Sequence, residues 1–186
     1  VITTYLKSRP DDQAVAEAWL KQLEDSDRSP REYEDLVYLI SQSQAKNSRN
    51  QTLIIRLILA EQRTDFQALQ VYRQFLENED IQDAAMIKSI ADLFFRERRI
   101  DEWALQAYLK AFKHNRSNKH FLQGIAACLH WSGKTTAVTE HFKEARALLA
   151  GVDETSLRKL RQGFKPIAPK PDVSIKPSAF DSLKLF

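Results

Sequence analysis

Apolar residues recur along this chain at intervals of three and four, the period of a helix packed on one face, and strict two-residue alternation is rare. Read this way, the pattern predicts nine helices: Asp11–Glu24, Pro30–Ala45, Arg49–Ala60, Asp65–Glu77, Ile81–Arg98, Asp101–His114, Lys119–Trp131, Lys134–Leu149 and Glu154–Gln162. Several starts carry cap chemistry. Asp11 and Asp12 follow Pro10, Ser29 precedes Pro30, and Asp80 and Asp153 stand where a side-chain oxygen can take a free backbone N–H. Gly133 and Gly151 follow predicted helices, where a left-handed residue closes the last turn. Connections of two to six residues make consecutive helices antiparallel neighbours.

Composition sharpens the picture. Residues 31–123 contain neither Gly nor Pro, which a β-rich domain would need at its turns. The fold class is therefore all-α. The most apolar stretch, Leu53–Ala60, is short and interrupted by Arg56, so no membrane span is expected in this segment. The sequence opens at Val1 without Met, as a fragment or processed form would, and no secretory leader is read. A single cysteine, Cys128, excludes an internal disulfide and favours a cytoplasmic location over a periplasmic or envelope-associated one. Residues 1–80 hold 10 Lys+Arg against 14 Asp+Glu, whereas residues 81–186 hold 18 against 11. That asymmetry suits either acidic partners or a solvated surface of uneven sign.

The helices also repeat. Tyr38, Tyr72, Tyr108 and Phe142 are spaced by 34, 36 and 34 residues, each in the second helix of a pair. Ala68, Ala104 and Val138 stand four positions before the last three, and Ala111 and Ala145 three after the last two. A small residue lets two backbones approach, and the ring fills the gap. In one unit Ile87, Ile90, Ala91 and Phe94 supply large, large, small and aromatic positions, with Asp101 and Glu102 at the turn; in the next Leu122, Ile125, Ala126 and Leu129 do so, with Gly133 at the turn. An earlier unit keeps Ile55, Leu59, Ala68 and Tyr72 but has Arg56 for the small residue. This pattern resembles the tetratricopeptide (TPR) family. The resemblance covers roughly residues 49–150 and implies an α-α solenoid of antiparallel helix pairs, a TPR-like superhelix.

Three segments follow from this. Residues 1–48 are N-terminal helices, weakly repeat-like; residues 49–163 are the repeats plus a terminal helix that solvates the open end; residues 164–186 are an extended tail with Pro166, Pro169, Pro171 and Pro177. The tail ends with Phe180, Leu183, Leu185 and Phe186, too apolar for an idle strand. It is expected to dock, either in its own groove or on another copy as a homo-oligomer.

The resemblance implies a protein–protein interaction scaffold or adaptor that takes a partner protein or peptide in a concave groove. Carried over by register, the groove presents Lys88, Asp92, Phe95 and Arg96 from one unit and His120, Gln123, Ala127, His130 and Trp131 from the next, with Leu53, Leu57 and Glu61 before them. Phe95 and Trp131 equally suit packing between neighbouring helices. A segment of a larger bacterial envelope or secretion assembly, and a nucleic-acid-binding helical repeat, are the alternatives. Arg96–Arg99 suits a helix C-terminus better than a nucleic-acid contact. Catalytic chemistry is not read here. Ser132–Thr136 lacks the first glycine of a phosphate loop, which would fall at Cys128. His114, His120, His130 and His141 form no metal-ligand spacing, so no metal or cofactor is expected and the chain is not read as an enzyme.

Overall fold

A computed structural model describes residues 1–26, 30–79, 83–131 and 139–164. Among them every regular element is helical: α1 (Ile2–Ser8), α2 (Gln13–Glu24), a 3-10 turn (Pro30–Tyr33), α3 (Glu34–Ser43), α4 (Ser48–Ala60), α5 (Phe66–Glu77), α6 (Ala84–Arg96), α7 (Glu102–His114), α8 (Lys119–Trp131), α9 (Glu140–Leu149) and α10 (Glu154–Gln162). No helix among these residues is long and apolar enough to cross a membrane. The tail residues Phe180, Leu183, Leu185 and Phe186, and also Asp80, Gly133 and Val138, lie outside the described residues.

Among the described residues there are ten α-helices, against nine expected for the chain. The addition, α1, buries only Leu6, so it offers no periodic stripe to read. The helix expected from Ile81 starts at Ala84, because Asp83 accepts the N–H groups of Ala85 and Met86 and fixes the first turn there. Asp12, Asn47, Asp65, Asp101 and Asp153 cap their helices through the same kind of bond. No described glycine is left-handed; that conformation is taken by Gln62 and Arg98, both at φ 52°. At each, two backbone bonds close the helix: Gln62 N to Leu59 O and Arg63 N to Ile58 O, then Arg98 N to Phe95 O and Arg99 N to Phe94 O. This is the Schellman pattern, built without glycine. Gly151 instead lies in a run of short-range turns, Ala150 N to Ala147 O and Val152 N to Leu149 O, which needs no positive φ.

These paired features fix the repeat at 36 residues: caps Asn47 and Asp83, left-handed residues Gln62 and Arg98, caps Asp65 and Asp101. Arg56 consequently corresponds to Asp92 and not to the small Ala91. It is solvent-exposed and bonds Glu24 at 3.2 Å. The even-numbered helices from α2 to α10 contact one another in succession, and so do the odd-numbered ones from α1 to α9. The chain thus forms two rows with the core between them. Leu20, Ile40, Ile54, Tyr72, Ile90, Phe94, Tyr108, Phe121 and Ile125 are fully buried in it.

Each turn repeats one device. The Tyr72 hydroxyl donates to the Arg63 carbonyl (3.1 Å) and the Tyr108 hydroxyl to the Arg99 carbonyl (3.0 Å). Arg63 pairs with Asp65 (2.7 Å) and Arg99 with Asp101 (2.6 Å), while both aspartates cap the next helix. Each tyrosine therefore ties the middle of its helix back to the turn that starts it. Tyr72 meets Phe94 edge-on at 5.7 Å. Tyr38, expected in the same role, is only half-buried. In the first pairs the core is amide-rich: Gln51 donates to the Ser41 (2.9 Å) and Gln44 (3.1 Å) carbonyls, and Asn50 to the Gln44 side chain (2.6 Å). Asn50 and Gln51 stand where Met86 and Ile87 stand one repeat later.

Two predictions follow from this packing. A Cβ at Gly124 would lie 2.7 Å from the Tyr108 ring, which is fully buried and has nowhere to retreat, whereas one at Gly151 meets nothing within 4 Å. Gly124→Ala should therefore cost about 1–3 kcal/mol in spite of alanine's helix preference. Gly151→Ala should be neutral, and thermal melts of the two variants check the contrast. The hydrogen bond from Arg63 is the main reason the Asp65 carboxyl is held below its ordinary 3.8. A depressed carboxyl stabilises fully above its unfolded value, and that contribution is lost as pH falls through the lower folded value. Asp65→Asn keeps a capping oxygen but removes the charge. It should cost about 1–2 kcal/mol at neutral pH, the half-exposed carboxylate tempering the loss. The deficit should shrink below roughly pH 4, as read by urea unfolding across acid pH.

Candidate functional site

The face of interest begins with a close approach. The Tyr108 ring lies against the backbone of Gly124, which draws α8 onto α7. Phe95, on the last turn of α6, meets the same ring edge-on at 6.4 Å. One turn before Gly124, His120 stacks on Phe95 with ring centres 5.1 Å apart and planes 12° from parallel. A fourth ring completes the group. Phe164, two residues beyond the end of α10, packs on Phe95 at 5.2 Å and is 3% exposed.

Helix α10 reaches this point by lying on α8, with far less contact to α9. Leu157 and Leu160 are half-buried beneath it. Gly163 sits above the Gln123 amide, and the Arg161 guanidinium donates to Nδ1 of His130 at 2.9 Å. Arg161 also pairs with Glu154 at 2.5 Å. A cleft of about 330 Å³ remains between α8, α9 and α10, bordered by Leu129, His130, Arg146, Leu149 and Leu157.

Each residue expected on the face can now be placed. Phe95, His120, Gln123 and His130 come together around α10 and Phe164. Lys88 and Asp92 are spent on each other, Nζ to Oδ2 at 2.6 Å. Arg96 is exposed and turns towards the preceding repeat, donating to the Gln62 side chain at 3.4 Å. Trp131 is 51% exposed and stands edge-on to His130 at 5.1 Å. Ala127 is fully buried and offers no free surface, and Leu53 and Leu57 are likewise buried. Ala127 and Phe164 are the two buried apolar residues that stand outside the main core. Phe164 packs on Phe95, and Ala127 lies on the α8 stripe between Gln123 and His130, which the end of α10 approaches.

Sequence reading missed Leu157, Leu160, Arg161 and Phe164 as members of this group and gave α10 only a solvating role. The signal was present. These four residues stand at i, i+3, i+4 and i+7, the spacing of a helix face laid into a groove. The thiol of Cys128 is buried and pushed well above its ordinary value by that burial, which makes it an inert part of α8. The arrangement can hold an apolar side chain against stacked rings and offers cationic groups at its rim. Compared with protein-family models, with curated proteins and with solved structures, the chain matches none.

Proposed function

We propose that this chain is a TPR-like α-α solenoid and that it binds a partner protein or peptide on the inner face of its even-numbered helices. One observation carries the reading. On α6 and α8, positions 35 residues apart carry paired ring and polar side chains, Phe95 with His130 and Arg96 with Trp131, of which Arg96, His130 and Trp131 are exposed. Trp and Arg are the residue types that anchor interfaces, because they combine apolar area with directional bonding. An exposed tryptophan edge-on to an exposed histidine offers apolar area that a partner can cover.

The mechanism is preorganisation. The helices that present these side chains are fixed by the repeated tyrosine, arginine and aspartate device, so a partner meets a surface whose ordering cost has already been met by folding. Apolar groups of the partner would contact Phe95 and Trp131, and acidic groups or a carboxylate would be steered by Arg96.

The test is capture from lysate by the immobilised chain, compared with Arg96→Glu/Trp131→Ala. Both side chains are exposed, so the fold should survive, which circular dichroism verifies. Proteins captured by the wild type should be depleted about tenfold or more by the double substitution. A capture profile identical for the two would refute the scaffold reading.

A further inference from the structure

The inner face of α6 and α8 already carries an occupant, and its chemistry describes what fits there. We infer that α10 with Phe164 is a detachable resident of this face. We infer further that the partner taken up in its place is an amphipathic helix presenting two leucines and an aromatic ring at the spacing of Leu157, Leu160 and Phe164. This rests on the scaffold reading above and specifies its partner.

Four observations support detachment. α10 has nine residues and none of them is fully buried, whereas α8 buries Phe121, Gly124, Ile125, Ala126, Ala127 and Cys128. A helix that short has little stability of its own and depends on what it lies against. Its main support is one helix, α8, and the cleft of about 330 Å³ under its other side leaves its neighbours incompletely packed. The polar contact that ties it to α8, Arg161 with His130, has an exposed partner, so water replaces it at small cost, and the Arg161–Glu154 pair lies within α10 itself. Leu157 and Leu160 pack on the edge of the main core and are only half-buried, so lifting α10 gives up partial contacts and not filled ones.

The same observations define the guest. The ring of Phe164 packs on Phe95, and His120 stacks on the same Phe95 ring. Ala127 lies between Gln123 and His130 on one stripe of α8, and both of those touch the end of α10. Its methyl group leaves room for a crossing helix, where a longer side chain would hold one off. Arg158 and Lys159 point the basic side of the resident away from this stripe, so the contact is made by the leucines and the ring. A competing helix needs those anchors and the helical spacing that aligns them.

The experiment uses the full chain and a fluorescent peptide of its own residues 154–164. Leu157→Glu/Leu160→Glu should release α10, and that variant should bind the peptide with about micromolar affinity, at least tenfold tighter than the wild type does. Adding Phe95→Ala should abolish the gain. Equal, weak binding by the wild type and the released variant would overturn the inference. Hydrogen exchange on the wild type gives an independent reading that needs no variant. The amides of α10 should exchange about a hundredfold faster than those of α8. Exchange of both helices as one unit would show α10 to be a fixed part of the fold and would also overturn the inference. The scaffold reading stands apart from this outcome, since lysate capture that depends on Arg96 and Trp131 survives a failed peptide titration. Peptide binding without any such capture would instead remove the scaffold reading.

Discussion

The Tyr108 ring pressed on the bare backbone of Gly124 is the contact from which the geometry around Phe95 and His120 follows. The ring cannot move, because its hydroxyl is tied to the Arg99 carbonyl and its faces are enclosed. Burial also drives its hydroxyl far above the usual tyrosine value, so it remains a neutral donor at any pH the protein meets. With the ring fixed, the distance between α7 and α8 is fixed by the absence of one carbon atom. That distance brings His120 over Phe95, and the pair of rings then seats Phe164.

The turns show how a stack can be regular without glycine. Left-handed backbone at Gln62 and Arg98 costs steric energy that a glycine would avoid. The neighbouring arginine and aspartate offset it, since Arg63 and Arg99 each grip an aspartate that caps the next helix. Arg63 is almost wholly enclosed and is bonded by Asp65 through two oxygens, with Glu34 3.3 Å away. A buried guanidinium without those partners would be costly, so the three charges behave as one unit. The exposed pairs between helices, Arg49 with Glu17 and Lys113 with Glu144, add little beside this.

The two ends of the stack are finished differently. Towards the N-terminus the rows are joined by amides, and Gln44, Asn50 and Gln51 exchange bonds where later repeats have aliphatic contacts. Such a network fixes one register, because any slip strands a buried polar group. Towards the C-terminus α10 closes the even row with half-buried leucines and a single ring. The tightly specified end suits a structural role, and the lightly held end is where exchange with another helix costs least.

What the sequence alone determined was local. The period of the apolar residues located most of the helices, since a helix repeats its face every three or four residues whatever it packs against. The absence of Gly and Pro over residues 31–123 excluded sheet, and the aspartates marked the starts of α2, α5, α7 and α10. Phe95, His120, Gln123 and His130 could be placed on one side of their helices by register. Tertiary structure decided the rest. Local spacing does not say that Arg96 turns to Gln62, that Ala127 is covered, or that Phe164 returns to Phe95 across 69 positions of sequence. Those outcomes depend on the approach of helices distant in sequence and on how far α10 leans over α8. A helical stripe specifies which side of a helix is apolar, and only the assembled rows specify what that side meets.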